Sequence, residues 1–99
     1  MKRQISPNPC ANKLRILSDP TRLSVLELLM AGSLHVGEIN EKLQIEQSLL
    51  SHHLKVLREA GLVKAARDGK SVRYSLSERT GTSHSGKAIN LGCCVLAFG

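Results

Sequence analysis

Residues 45–76, IEQSLLSHHLKVLREAGLVKAARDGKSVRYSL, decide how this 99-residue chain is read. Leu50, Leu54 and Leu57 fall at i, i+4 and i+7, one apolar stripe of a helix. Ser48, Ser51, His52 and Lys55 share the opposite face, with Gln47 at its amino-terminal edge. Short hydrogen-bonding side chains and a lysine on the first turns of a helix suit a major groove, where base edges and phosphates lie close together. Gly61 supplies the stop. Residues 62–67 and 71–76 then flank Asp68-Gly69, a hairpin signal because both residue types tolerate positive φ. The pattern predicts a mainly α chain with a small β-hairpin wing, a winged helix-turn-helix.

Working upstream, Leu43 to Glu46 reads as the turn before the reading helix. Glu46 favours the helix dipole there, although close to DNA it repels phosphate. Val36, Ile39 and Leu43 mark a third short helix, and Gly32 ends a second. Asp19-Pro20 begins that second helix, since aspartate caps backbone N–H groups and proline fits the first helical position. Leu23, Leu26 and Met30, joined by Val25 and Leu29, give it a broad buried side. Ala11, Leu14 and Leu17, with Ile16 beside them, suggest a first helix.

The net charge is +6, and its placement matters more than its size. Between Leu54 and Tyr74 lie Lys55, Arg58, Lys64, Arg67, Lys70 and Arg73 against only Glu59 and Asp68. A charge run is often a solvated face, but this one coincides with the reading pattern and so points to phosphate contact. Tyr74 and Phe98 are the only aromatic side chains, too few for the base stacking that single-strand binders use. Duplex DNA is the expected partner, and a membrane is not. No apolar run reaches a bilayer span, and residues 1–9 read as a flexible polar arm rather than a leader, so the cytoplasm is expected. A glycine-rich phosphate loop, paired carboxylates and a Cys-X-X-Cys are all missing, which argues against an enzyme. A pure protein-interaction module fits the basic wing and polar reading face poorly.

Two motifs carry a resemblance. Leu17-Ser18-Asp19-Pro20-Thr21-Arg22-Leu23, followed by Ser51-His52-His53-Leu54-Lys55-Val56-Leu57-Arg58-Glu59-Ala60-Gly61-Leu62-Val63, resembles the ArsR/SmtB repressors over about residues 14–76. The resemblance implies a homodimer that binds operator DNA and leaves it when a metal, metalloid or redox signal arrives. It places Gln47, Ser48, Ser51, His52 and Lys55 in the major groove, and Arg67, Lys70 and Arg73 on flanking phosphates or the minor groove. DNA binding itself needs no cofactor. The chain divides into an arm (1–9), the winged DNA-binding domain (10–76), a Ser/Thr/Gly-rich linker (77–86) and a dimerisation and sensing element (87–99). Relatives end in a long helix, so residues 87–98 are expected to be helical, while Gly92 and β-branched neighbours keep a strand open.

The inducer is read from Cys10, Cys93 and Cys94. An odd number of cysteines argues against a disulfide framework, and two adjacent cysteines do not readily bridge each other. Thiolates select soft centres, and trivalent arsenic or antimony takes three sulfurs in a trigonal pyramid. The family's arsenic sensors open the third helix with Cys-Val-Cys, where this chain has His35-Val36-Gly37. Zinc-sensing relatives carry ligands along the final helix, where this chain has His84 alone and no carboxylate after Glu78. The expectation is therefore a metalloid sensor built on Cys10, Cys93 and Cys94. The alternatives are a bridge from Cys10 to Cys93 or Cys94 that reports sulfide or oxidants, a cadmium, lead or zinc site, and cysteines that merely fill the core. His35 and His84 read as polar surface.

Overall fold

The computed structural model describes residues 9–78, 80–82 and 88–98. Residues 1–8 of the expected arm and His84 lie outside them. The first helix, α1 (Pro9–Ile16), contains Cys10 in its first turn. Cys10 and Leu17 are buried, while Ala11 and Leu14 are exposed, so the inward side is turned away from the expected Ala11–Leu14–Leu17 stripe. Lys13 sits near that inward side, and its ammonium donates to the Leu91 carbonyl at 2.9 Å, tying α1 to the end of the chain.

Helix α2 (Pro20–Met30) starts as its sequence dictates. The Asp19 carboxylate accepts from the Thr21 and Arg22 N–H groups at 2.8 and 3.1 Å, and Pro20 opens the helix. Val25, Leu26 and Leu29 are buried. A two-residue strand, β1 (Leu34–His35), leads into α3 (Val36–Leu43), which buries Ile39. Helix α4 (Gln47–Glu59) buries Leu50, His53, Leu54 and Leu57, which includes the whole predicted stripe.

The wing consists of β2 (Val63–Asp68) and β3 (Ser71–Leu76), with β3 central between β1 and β2. Asp68 pairs with Ser71, so the two loop residues are Gly69-Lys70 and not Asp68-Gly69. The need for positive φ falls on Gly69, at +64°, where a residue without Cβ meets no steric penalty.

The tail departs from the expected helix. Strands β4 (Gly81–Thr82), β5 (Ala88–Asn90) and β6 (Val95–Ala97) form a second antiparallel sheet in that order. Ile89 and Leu91 are fully buried around an exposed Asn90, and partly buried Leu96 and Phe98 alternate with exposed Val95 and Ala97. In a helix, residues two apart sit on opposite sides, and in a strand they share a face. Ile89 and Leu91 reach one core only as a strand. Full burial of each contributes about 1.5–3 kcal/mol, and together they outweigh a short helix with Gly92 in its middle. The Leu91 N–H donates to the Cys94 carbonyl at 2.8 Å, leaving Gly92-Cys93 as the turn, with Gly92 at φ +91°.

Part of residues 77–86, read above as a linker, is tied down. The Ser77 hydroxyl donates to the Gly61 carbonyl at 2.6 Å, and Thr80 is buried. No helix among the described residues is long and apolar enough to cross a membrane.

Candidate nucleic-acid interface and thiol cluster

The first turn of α4 is organised by Glu46. Its carboxylate accepts from the Ser48 and Leu49 N–H groups at 3.1 and 3.0 Å and from the Ser48 hydroxyl at 2.6 Å. The Ser48 hydroxyl, then the two N–H groups, hold the Glu46 carboxyl below its ordinary value, so it stays ionised. Glutamate thus performs the capping for which serine or aspartate is the commoner choice. One consequence is that the Ser48 hydroxyl is already committed to Glu46. Gln47, Ser51, His52 and Lys55 are all exposed on the outer face of α4. Leu49, overlooked in the sequence reading, is 45% exposed on the same turn. An exposed leucine at the head of a reading helix suits contact with a thymine methyl group.

Behind this face α4 is bolted to α2. Buried His53 accepts at Nδ1 from Arg22 Nε at 3.0 Å, and Arg22 Nη1 donates to the Ile16 carbonyl at 3.3 Å. Burial pushes the His53 imidazolium below its ordinary value, against a smaller opposing pull from Asp19. A neutral His53 is what an arginine donor requires, because only the unprotonated nitrogen accepts. His52, expected on the DNA-facing side, is exposed, and its neighbour His53 is buried.

The three wing cations differ. Arg67 and Lys70 are exposed beside and within the turn. Arg73 lies further back on β3, where its guanidinium pairs with Asp68 at 3.1 Å and donates to the Ser33 hydroxyl at 3.0 Å. Asp68 also meets His35 Nε2 at 2.8 Å, and His35 Nδ1 meets Glu38 at 3.0 Å. Glu38 further accepts the His35 backbone N–H at 2.9 Å, one half of a capping box on α3. His35 is therefore no idle surface residue. Its partner lies 33 residues away, and no local pattern signals the pair.

The three cysteines converge. Cys10 is buried in α1, Cys93 is exposed in the tail turn, and Cys94 is half-buried beside it. Their three sulfurs lie within 4.8 Å of one another, all in one subunit. Cys10 and Cys93 are joined by a disulfide, with Cα atoms 5.7 Å apart, and Cys94 is the free thiol. The odd count argues against a disulfide framework, and the one bond present is the Cys10–Cys93 bridge kept above as an alternative. Counting cannot anticipate that the Lys13–Leu91 contact and burial of Leu91 deliver the tail turn to α1.

Residues 19–65 match the family described as bacterial regulatory protein, arsR family. Over 66 residues the chain is 38% identical to the transcriptional repressor SdpR of Bacillus subtilis, covering 67% of this chain and 73% of that protein. The chain spans between 55% and 62% of the length of several other curated relatives. The solved structure of HlyU from Vibrio cholerae superposes with a TM-score of 0.68 at 36% identity, covering 71% of this chain and 76% of that one. A structure described as a possible transcriptional regulator for arsenical resistance gives a TM-score of 0.64 at 34% identity, covering 68% of this chain and 70% of that one.

Proposed function

The chain belongs to the arsR family of bacterial regulatory proteins and is a DNA-binding transcriptional repressor, and from that premise we propose that it is released from its operator by trivalent arsenic or antimony bound to Cys10, Cys93 and Cys94. The observation that carries this reading is the convergence of three sulfurs within 4.8 Å, from elements 83 residues apart in sequence. Three thiolates match the demand of a trigonal-pyramidal metalloid by number and by softness. Binding exchanges oxygen for sulfur: arsenous acid and three thiols form three As–S bonds and release three waters, with no change of oxidation state. The disulfide sets a condition. A thiol reductant must first cleave the Cys10–Cys93 bond, because two of the three ligands are otherwise spent.

Release follows from where α1 sits. Asn12 and Ile16 of α1 line one depression with Val56, Glu59 and Ala60 at the end of α4. Three new bonds to Cys10 and the tail turn pull on α1 and, through this contact, on the reading helix. As a homodimer, the protein presents two such helices roughly 34 Å apart to successive major grooves, and a small shift of α4 spoils that spacing. In this reading residues 10–76 bind DNA, with Gln47, Ser51, His52 and Lys55 in the groove and Arg67 and Lys70 at its flanks, while Ser48 and Arg73 act through the neighbours they hold, Glu46 and Asp68. Residues 87–99 sense and contribute to the dimer. Exposed Leu14 on α1 supports a subunit contact, since burying it removes apolar surface from water.

The test is fluorescence anisotropy of the reduced protein on its own promoter duplex, titrated with arsenite and, in parallel, with cadmium and zinc. Wild type should dissociate at near-stoichiometric arsenite. Cys94→Ser should bind the duplex as tightly yet need at least about tenfold more arsenite. Release of the variant at the wild-type arsenite concentration defeats the proposal.

A further inference from the structure

The wing has a tether that a winged hairpin does not require. Strand β2 is an edge strand whose ladder partner is β3. At its far end, Asp68 is the last paired residue before the Gly69-Lys70 turn. That residue is bound from outside the hairpin by His35, the residue immediately before α3. The ring lies between two carboxylates, Asp68 at Nε2 (2.8 Å) and Glu38 at Nδ1 (3.0 Å), while Arg73 grips the same Asp68 oxygen at 3.1 Å and anchors on Ser33 at 3.0 Å.

We propose that His35 is a positioning residue for DNA binding, which as an imidazolium clamped between Glu38 and Asp68 holds the wing tip, and with it Arg67 and Lys70, where the duplex phosphates lie. The proposal rests on the DNA-binding reading and adds a device that the reading does not contain. A neutral imidazole has one N–H and one lone pair. Between two carboxylates the lone pair would face an anion, so the pair of contacts is satisfied only by the doubly protonated ring. The charged groups around the ring are Glu38 from α3, Asp68 from β2 and Arg73 from β3. The Asp68 bond first, then the Glu38 bond, raise the His35 value above the ordinary 6.5, against opposition from desolvation and then from Arg73. The sign is fixed by that direction. The clamp is intact at pH below 6.5 and is lost as pH rises through the raised value.

The experiment measures affinity of the reduced full chain for its promoter duplex from about pH 6 to about pH 9 at constant ionic strength. Wild type, His35→Gln and His35→Arg are compared, and His52 is common to all three. Wild type should weaken with rising pH by about threefold more than His35→Gln, a size suited to exposed ion pairs. His35→Arg, permanently charged, should keep tight binding with a flattened profile. Parallel profiles for wild type and His35→Gln overturn the proposal. In parallel, NMR follows the His35 ring and the Lys70 amide in the free protein. A Lys70 shift tracking the His35 titration sustains the clamp, and independent titrations overturn it. Absence of duplex binding by every protein at every pH would instead defeat the repressor reading, and the NMR result then judges the clamp alone.

Discussion

The molecule carries two hairpins with one turn design and opposite fates. In the wing, Gly69-Lys70 joins six-residue strands, with the outer half of β2 exposed and basic Arg67 and Lys70 at the turn. In the tail, Gly92-Cys93 turns between three-residue strands, with Ile89 and Leu91 buried before it and Leu96 partly buried after it. Both place glycine first in the turn with positive φ. The wing is held by polar groups, His35 and Ser33 outside the hairpin meeting its own Asp68 and Arg73. The tail is held by apolar burial, one ammonium and a disulfide. One backbone device therefore serves two ends. A charged hairpin carries exposed Arg67 and Lys70 at its tip, and an apolar one delivers two cysteines to a third.

If that contrast is sound, treatments should separate the two hairpins, and the largest separation should come from reduction. The Cys10–Cys93 bond closes a loop with a sequence separation of 83. Loop-closure entropy makes such a bond worth about 4 kcal/mol. Reducing agent should lower the unfolding free energy by that order and speed amide exchange in β5 and β6, while β2 and β3 keep their protection. Equal loosening of both hairpins would show that the tail also supports the wing.

A second separation comes from truncating the tail's core. Leu91→Ala should cost about 3 kcal/mol in urea unfolding, since Leu91 is fully buried in a core shared with α2 and α4. The same variant should expose Cys94 to thiol reagents. A loss under about 1 kcal/mol would mean that the tail packs loosely and that its register is not set by Leu91.

The smallest effect tests the shared turn. A Cβ at Gly69 meets nothing within 4 Å, so Gly69→Ala carries only the cost of positive φ, about 1 kcal/mol. Gly92→Ala should cost a similar amount in the reduced protein. A markedly larger penalty at Gly92 would mean that the two turns are different devices.

The two hairpins also show what makes structure legible in sequence. The wing was readable because its strands are long, its turn contains Asp68-Gly69, and its charges flank a strongly patterned helix. Even so, the turn sits one residue later than its commonest signal suggests, because the ladder closes at Asp68–Ser71. The tail was not readable as strand because three residues hold one alternation, and the helical habit of relatives pulled the other way. The outward polar face of α4 was legible through the buried stripe of Leu50, Leu54 and Leu57, whereas exposed Leu49 broke the polar pattern and was passed over. Arg73 looked like any other wing cation. Its commitment to Asp68 and Ser33 depends on strand pairing, with β1 beside β3.

Local interactions are those that the sequence by itself determined. The Asp19-Pro20 helix start, the apolar stripe of α4, its outward polar face and the basic hairpin involve neighbours within a few residues, where helix and strand periods translate directly into position. Tertiary structure alone decided which side of α1 faces inward, that Leu91 and Ile89 require a strand, that His35 meets Asp68, and that Cys10 meets Cys93 and Cys94. Those contacts join residues 33 to 84 positions apart. No local period encodes such partners, because they are chosen by which apolar surfaces bury together, and the thiols and the clamp are carried into place by that burial.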